Sequence, residues 1–380
     1  MAREASKESD AMTAVTSPTS QRTQEGPRPT SSSPVLLWAT MGVLCLVVVL
    51  TGWARWITSN DFVPTSHGPD PISTPYLVIL RIVEVASLLG AAVITVIYLV
   101  RPVLRERRLN LDGMMIIALT LAWFWDPTAN YLNYSFAYNN YAWNYGSWVR
   151  FIPGWEYPGA PGNFVEPVWV AGAWIWWCFG GAVLMCAFLR KLRARRPNWS
   201  TLRLFVVLAG IVVVADLLLE SVFLRTQVMC WPGAPASVTL WSGHFYRFPL
   251  PESLLVISLM FGITAVRYFK DDRGRSFVEK GVDNLRVPRH TKALISLCAV
   301  IGFLHFWVIV GYNLPLQIVS VKADTFPPMP SYLRSLVCGT GTDYACPSGA
   351  VPVPGRGSLH ITPTDPRLPA SVRDQQGTRP

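Results

Sequence analysis

Seven nearly uninterrupted apolar runs dominate this sequence, at 35–56, 76–100, 111–133, 166–189, 201–224, 250–268 and 293–312. Each is long enough to cross a hydrocarbon core about 30 Å thick at about 1.5 Å of rise per helical residue. Lipid offers no water to backbone N–H and C=O groups, so such runs must satisfy them internally and are expected as helices. Composition agrees. Only 15% of residues are charged, against about 25% in soluble domains. The sequence predicts an all-α integral membrane protein, a bundle of about seven transmembrane helices. The first run ends in TGWARW rather than a small-residue cleavage site, so it reads as a retained helix and not a signal peptide.

A formal charge of +10 could suggest nucleic acid, but its distribution argues otherwise. Arg101, Arg105, Arg107 and Arg108 fall between the second and third runs, and Arg190 to Arg196 follow the fourth. Arg267, Lys270, Arg273, Arg275, Lys280, Arg286, Arg289 and Lys292 fill the segment before the seventh. The alternate loops hold little beyond Arg150, Arg225 and Arg247. This is the positive-inside pattern, with the N-terminus cytoplasmic and the C-terminus outside. The expected partners are membrane lipids, their anionic headgroups included, and no nucleic acid. Six of 33 basic residues are Lys, an Arg bias that suggests a GC-rich bacterial genome and hence the bacterial plasma membrane.

Three regions follow: a disordered cytoplasmic tail (1–34), the transmembrane domain (35–320) and a mostly disordered external tail (321–380), both tails being rich in polar residues and Pro. Cys45, Cys178, Cys186 and Cys298 lie in apolar runs as small fillers. Cys338 and Cys346 could form a disulfide in the external tail, where Cys230 is also external. No spacing suggests a zinc site.

Ionisable groups within membrane spans are costly and often functional. With this topology they fall in one outer layer: Arg81 and Glu84, Asp126, Glu166, Asp216 and Glu220, Glu252, and His305. Each also has a structural reading. Arg81 and Glu84 can form an internal ion pair. Glu166 and Glu252 can favour helix N-termini. Asp216 and Glu220, at i and i+4, can pair with Arg225 or Arg81. His305 can be a hydrogen-bonded core residue, and the Tyr and Trp of 131–148 suit an interfacial belt.

Asp126, Asn130 and Asn133 stand at i, i+4 and i+7, which would place them on one helical face. Pro127 lacks an N–H and clashes with the carbonyl of Trp123, so a kink is expected beside the acid. Paired histidines for haem, histidine boxes, an Asp-rich metal motif, a central Lys in the last run, and GxSxG, Walker or GxGxxG signatures are all missing. The inventory of carboxylates, amides and Tyr suits acid–base chemistry with no cofactor and no metal.

The ordered elements Asp126-Pro127-x-x-Asn130-Tyr131, Tyr138-Asn139, Asn144-x-Gly146-Ser147-Trp148, Pro153-Gly154-Trp155 and Glu166-Pro167 resemble the AveC-like spirocyclases. These are multi-pass actinobacterial membrane proteins named after the avermectin enzyme, and the resemblance covers roughly 35–320. It implies an enzyme of secondary metabolism that closes a dihydroxy-ketone, polyketide-like or otherwise lipid-like, into a spiroketal, in some cases with dehydration. On this reading Asp126 and Glu166 are the acid–base pair, with Glu252 and Glu220 as further catalytic candidates. Asn130, Tyr131, Asn139, Asn144 and Trp148 would orient a small apolar substrate. Two other readings stay open: another membrane cyclase or isomerase, for example on a terpenoid, and a non-enzymatic seven-helix protein that binds, senses or transports an apolar ligand.

Overall fold

A computed structural model of the chain describes residues 33–156 and 164–356, together with 361, 362, 364–366, 368 and 370. The segment 1–34, expected to be disordered, lies outside these residues up to position 32, as does most of 357–380.

Among the described residues, six helices are long and apolar enough to cross a membrane: α1 (Pro34–Ile57), α2 (Thr74–Glu106), α4 (Val168–Arg195), α5 (Thr201–Arg225), α6 (Leu250–Tyr268) and α7 (Arg289–Ser320). The third apolar run behaves differently. It forms α3 over Leu111–Ala122 and then tightens into a 3-10 helix over Trp123–Asn130 that contains Pro127. The sequence marks where α3 starts, because the Asn110 side chain accepts from Gly113 N–H at 2.8 Å as an N-cap. The 3-10 winding has a consequence for the one-face expectation. At about three residues per turn, Asp126 and Asn130 diverge by roughly a third of a turn.

That tightened segment is held by α7. Asn313 Nδ2 donates to Trp125 O at 3.0 Å, and Gln317 Nε2 donates to Ala129 O. Gln317 Oε1 accepts from Leu132 N–H at 2.6 Å. Backbone groups released where α-helical bonding stops thus find side-chain partners on a neighbouring helix, as buried backbone requires.

Helix α5 shows how the sequence sorts its faces. Leu204, Leu208, Val212, Asp216, Glu220 and Leu224 are buried, every fourth residue. Leu202, Val206, Val214, Leu218 and Val222 are exposed on the other side, as a lipid-facing surface would be. The two acids therefore point inward. Helix α1 packs on α7 through glycines: a Cβ on Gly42 would strike the Cys298 carbonyl, and one on Gly302 the Trp38 carbonyl. Small residues let the two backbones approach.

The basic connections gather at one end of the helices, where Arg267 forms an ion pair with Asp112 at 3.0 Å. At the other end the aromatic loops build a cap. Strand β1 (Ala137–Tyr138) pairs antiparallel with β2 (Met229–Cys230), setting Tyr138 opposite Met229. Strands β3 (Thr239–Leu240) and β4 (Phe248–Pro249) pair beside them. Composition suggests a loose tail after 320, whereas residues 321–356 complete this cap. Tyr134 N–H donates to Pro354 O at 2.8 Å and Asn140 N–H to Tyr332 O at 2.9 Å. Tyr332, Leu333, Val337 and Cys338 are buried against Tyr134 and Cys230, and Cys338 and Cys346 are joined in a disulfide. Arg247 is buried in the cap, its guanidinium donating to the carbonyls of Trp231 and Pro232; burial lowers its pKa to about 10.

Candidate active site

Under the cap, a cavity of about 170 Å³ opens between the 3-10 segment, α4, α5, α6 and the end of α7. Its walls are largely aromatic, including Phe136, Trp169, Trp174 and Trp231, with Asp126, Asp216, Glu220 and Glu252 set among them. Among the described residues, no basic side chain lines it.

Asp126 reaches this wall from the 3-10 segment. Its Oδ2 accepts from the Tyr138 hydroxyl at 2.7 Å, so β-pairing of the cap fixes the acid's orientation. Burial, followed by the neighbouring Asp126 charge, raises the pKa of Tyr138 well above that of a free phenol. The hydroxyl accordingly keeps its proton and acts as a donor.

Glu166 lies in the loop before α4. It shares a small void with Asp126 and Asn130 but does not line the main cavity. Its Oε1 accepts from Ser147 Oγ at 3.2 Å, while its buried Oε2 has no hydrogen-bond partner among the described residues. Burial first, and the Asp126 carboxylate second, push its pKa well above the usual carboxylate range.

Three further acids of the cavity wall converge. An oxygen from each of Asp216, Glu220 and Glu252 lies within 4.8 Å of one from each of the others. Each also takes a neutral donor: Ser253 to Asp216 at 2.8 Å, the Trp231 indole to Glu220, and Tyr312 to Glu252 at 2.9 Å. The sequence suggests Arg225 or Arg81 as counter-charges, but Arg225 lies over the Trp241 and Tyr246 rings and Arg81 pairs with Glu84 at 2.5 Å. Glu84 also accepts from Trp143 N–H at 2.6 Å, which ties α2 to the cap. His305 is a core residue whose Nδ1 accepts from Trp125 Nε1 at 3.1 Å while Nε2 bonds Ala118 O at 2.9 Å.

The residues expected to orient substrate stand elsewhere. Asn130 Oδ1 accepts from Ser135 and Phe136 N–H, both at 2.9 Å. Asn139 Nδ2 donates to Gln227 O at 2.7 Å, and Asn144 Oδ1 accepts from Thr65 and Gly146 N–H at 2.9 Å. Trp148 is fully buried and donates to Phe124 O at 2.8 Å, and Tyr131 donates to Pro153 O at 3.1 Å. None of the five lines the main cavity; their polar groups are used in shaping the cap. Tyr138, Tyr312 and Asp216 line it instead. The i, i+4 spacing of Asp216 and Glu220 signals this for the acid, whereas the two tyrosines carry no comparable local signal.

A multi-pass helical membrane protein with a buried, acid-lined aromatic cavity is the class that fold and site define. The chain belongs to the AveC-like spirocyclase family, whose model (Spirocyclase AveC-like) matches residues 106–331. That match spans α3 to α7 and most of the cap, and so every acid of the cavity. No curated protein and no solved structure matches the chain.

Proposed function

We propose that this protein is a membrane-embedded cyclase that closes a dihydroxy-ketone into a spiroketal by acid–base catalysis. The observation that carries the reading is the Tyr138–Asp126 hydrogen bond at 2.7 Å on the wall of an aromatic cavity, together with membership of the family. The orientation that goes with it has the N-terminus in the cytoplasm, the cap outside and the body in a bacterial plasma membrane, and the distribution of basic loops supports the orientation.

The reaction needs the ketone oxygen protonated while one hydroxyl attacks its carbon and gives up its own proton, giving a hemiketal. A second protonation releases water and leaves an oxocarbenium ion, which the other hydroxyl captures with loss of its proton. Asp126 is the group that exchanges these protons, with Tyr138 holding one of its oxygens so that the other is directed. Glu166, sharing a small void with it, is its proton partner. Glu220 and Glu252, which also line the cavity, are secondary candidates. The faces of Trp169, Trp174 and Trp231 favour the transient cation, and enclosure of a folded chain supplies much of the rate. A cavity of about 170 Å³ resembles in size an engineered void that accepts benzene, so it suits the reacting segment, with the remainder of a polyketide-like or other lipid-like chain extending beyond.

The test is conversion of a synthetic dihydroxy-ketone by the full chain in nanodiscs, followed by mass spectrometry for loss of one water. Conversion no faster than in empty nanodiscs would remove the proposal.

A further inference from the structure

The sequence gives no reason to expect a metal, because Asp216 and Glu220 come from α5 and Glu252 from α6, with no motif joining them. The fold brings them together. All three are more than nine-tenths buried, and one oxygen of each lies within 4.8 Å of one from each of the others. Three carboxyl groups in a cavity that no basic side chain lines among the described residues are held either by protonation or by a bound cation, since an unpaired buried charge is costly.

The surroundings of the cluster resemble those of a ligand set. Ser253, Trp231 and Tyr312 each donate to a different carboxylate from outside the cluster, the way outer hydrogen bonds orient metal-ligating carboxylates. Within the cluster, Glu252 Oε2 is buried and, among the described residues, takes no donor from outside the cluster, although Oε1 is held by Tyr312 at 2.9 Å.

We propose that Asp216, Glu220 and Glu252 form a binding site for one hard divalent cation of the Mg²⁺, Mn²⁺ or Ca²⁺ type. An all-carboxylate oxygen set suits these ions rather than zinc or copper. Three protein ligands leave positions open toward the cavity, for water or for an oxygen of whatever molecule enters it. The site rests on this geometry and not on the cyclase reading.

The experiment uses the full chain in detergent, stripped with EDTA and titrated with Mn²⁺, the free ion being followed by electron paramagnetic resonance. One saturable site per chain is expected, displaced by Mg²⁺ or Ca²⁺. Affinity should fall about tenfold or more in Glu252→Gln and in Asp216→Asn, and stay unchanged in Asp126→Asn. The near-isosteric Glu252→Gln keeps the test valid if Asp216→Asn fails to fold. No saturable binding, or equal binding by wild type and Glu252→Gln, would overturn the site and show that the three acids merely share protons. Because Asp126→Asn should lose turnover but keep Mn²⁺, failure of this site and failure of the cyclase reading are distinguishable.

Discussion

The Tyr138 hydroxyl donates to Asp126 Oδ2 across 2.7 Å, joining a β-residue of the cap to a carboxylate on the 3-10 extension of α3. Neither residue could hold this geometry alone. Tyr138 is placed by pairing with Met229, and Asp126 by the segment that Asn313 and Gln317 secure.

Replacing Tyr138 by Phe removes this donor without opening the aromatic wall. A hydrogen bond to a charged group is worth about 1.5–3 kcal/mol, so turnover should fall roughly tenfold to a hundredfold with the fold intact. Steady-state rates of purified Tyr138→Phe check this; an unchanged rate would free Asp126 of its dependence on the cap.

Glu166 makes stability depend on pH in a defined direction. Its pKa is raised in the folded protein by burial and by Asp126, whereas an unfolded Glu titrates near about 4.3. Below that value both states are protonated and nothing is lost. As pH climbs, the unfolded chain ionises first, and the fold loses stability until the raised value is passed. Glu166→Gln escapes this loss, so its melting temperature should gain on wild type as pH increases from about 4. A difference that stays flat across the range would contradict the burial argument.

Asn144 separates a structural role from substrate binding. Its Oδ1 accepts two backbone N–H groups, from Thr65 and Gly146, and Asn144→Ala leaves them unsatisfied at a cost of about 1–3 kcal/mol each. Thermal denaturation should register the loss, while KM measured well below the transition stays at the wild-type value. A raised KM with normal stability would return Asn144 to the substrate.

Two glycines give opposite outcomes. Gly302→Val drives a side chain into the Trp38 carbonyl and Gly42 of α1, and overpacking of this kind costs about 1–3 kcal/mol or more. Gly210 on α5 has nothing within 4 Å of an added Cβ, so Gly210→Ala should be neutral or slightly stabilising. Denaturant midpoints of the two variants provide the comparison.

What the sequence makes legible is what periodicity and depth encode. The apolar runs locate the spanning helices, and the i, i+4 spacing of Asp216 and Glu220 correctly turns both inward on α5. Arg81 and Glu84, one turn apart, form the expected pair. The 3-10 turn after Ala122 is a different matter, because it depends on partners 185 or more residues away, such as Gln317 for Leu132. An asparagine can serve a ligand or a backbone with equal chemistry, and only distant contacts decide: Asn139 binds Gln227 O, 88 residues on. The acidic triad shares this limit, since Glu252 meets Asp216 through helix packing. The segment 321–356 takes its order from other loops rather than from any period of its own.

The acid–base account rests on Asp126, and the direct measurement is the single-turnover rate of dihydroxy-ketone cyclisation in nanodiscs by wild type and Asp126→Asn. The variant keeps the size and the Tyr138 contact while losing the exchangeable acid proton. The rate should fall about 100-fold or more, with unaltered melting and Mn²⁺ binding. Equal rates in the two proteins would contradict it.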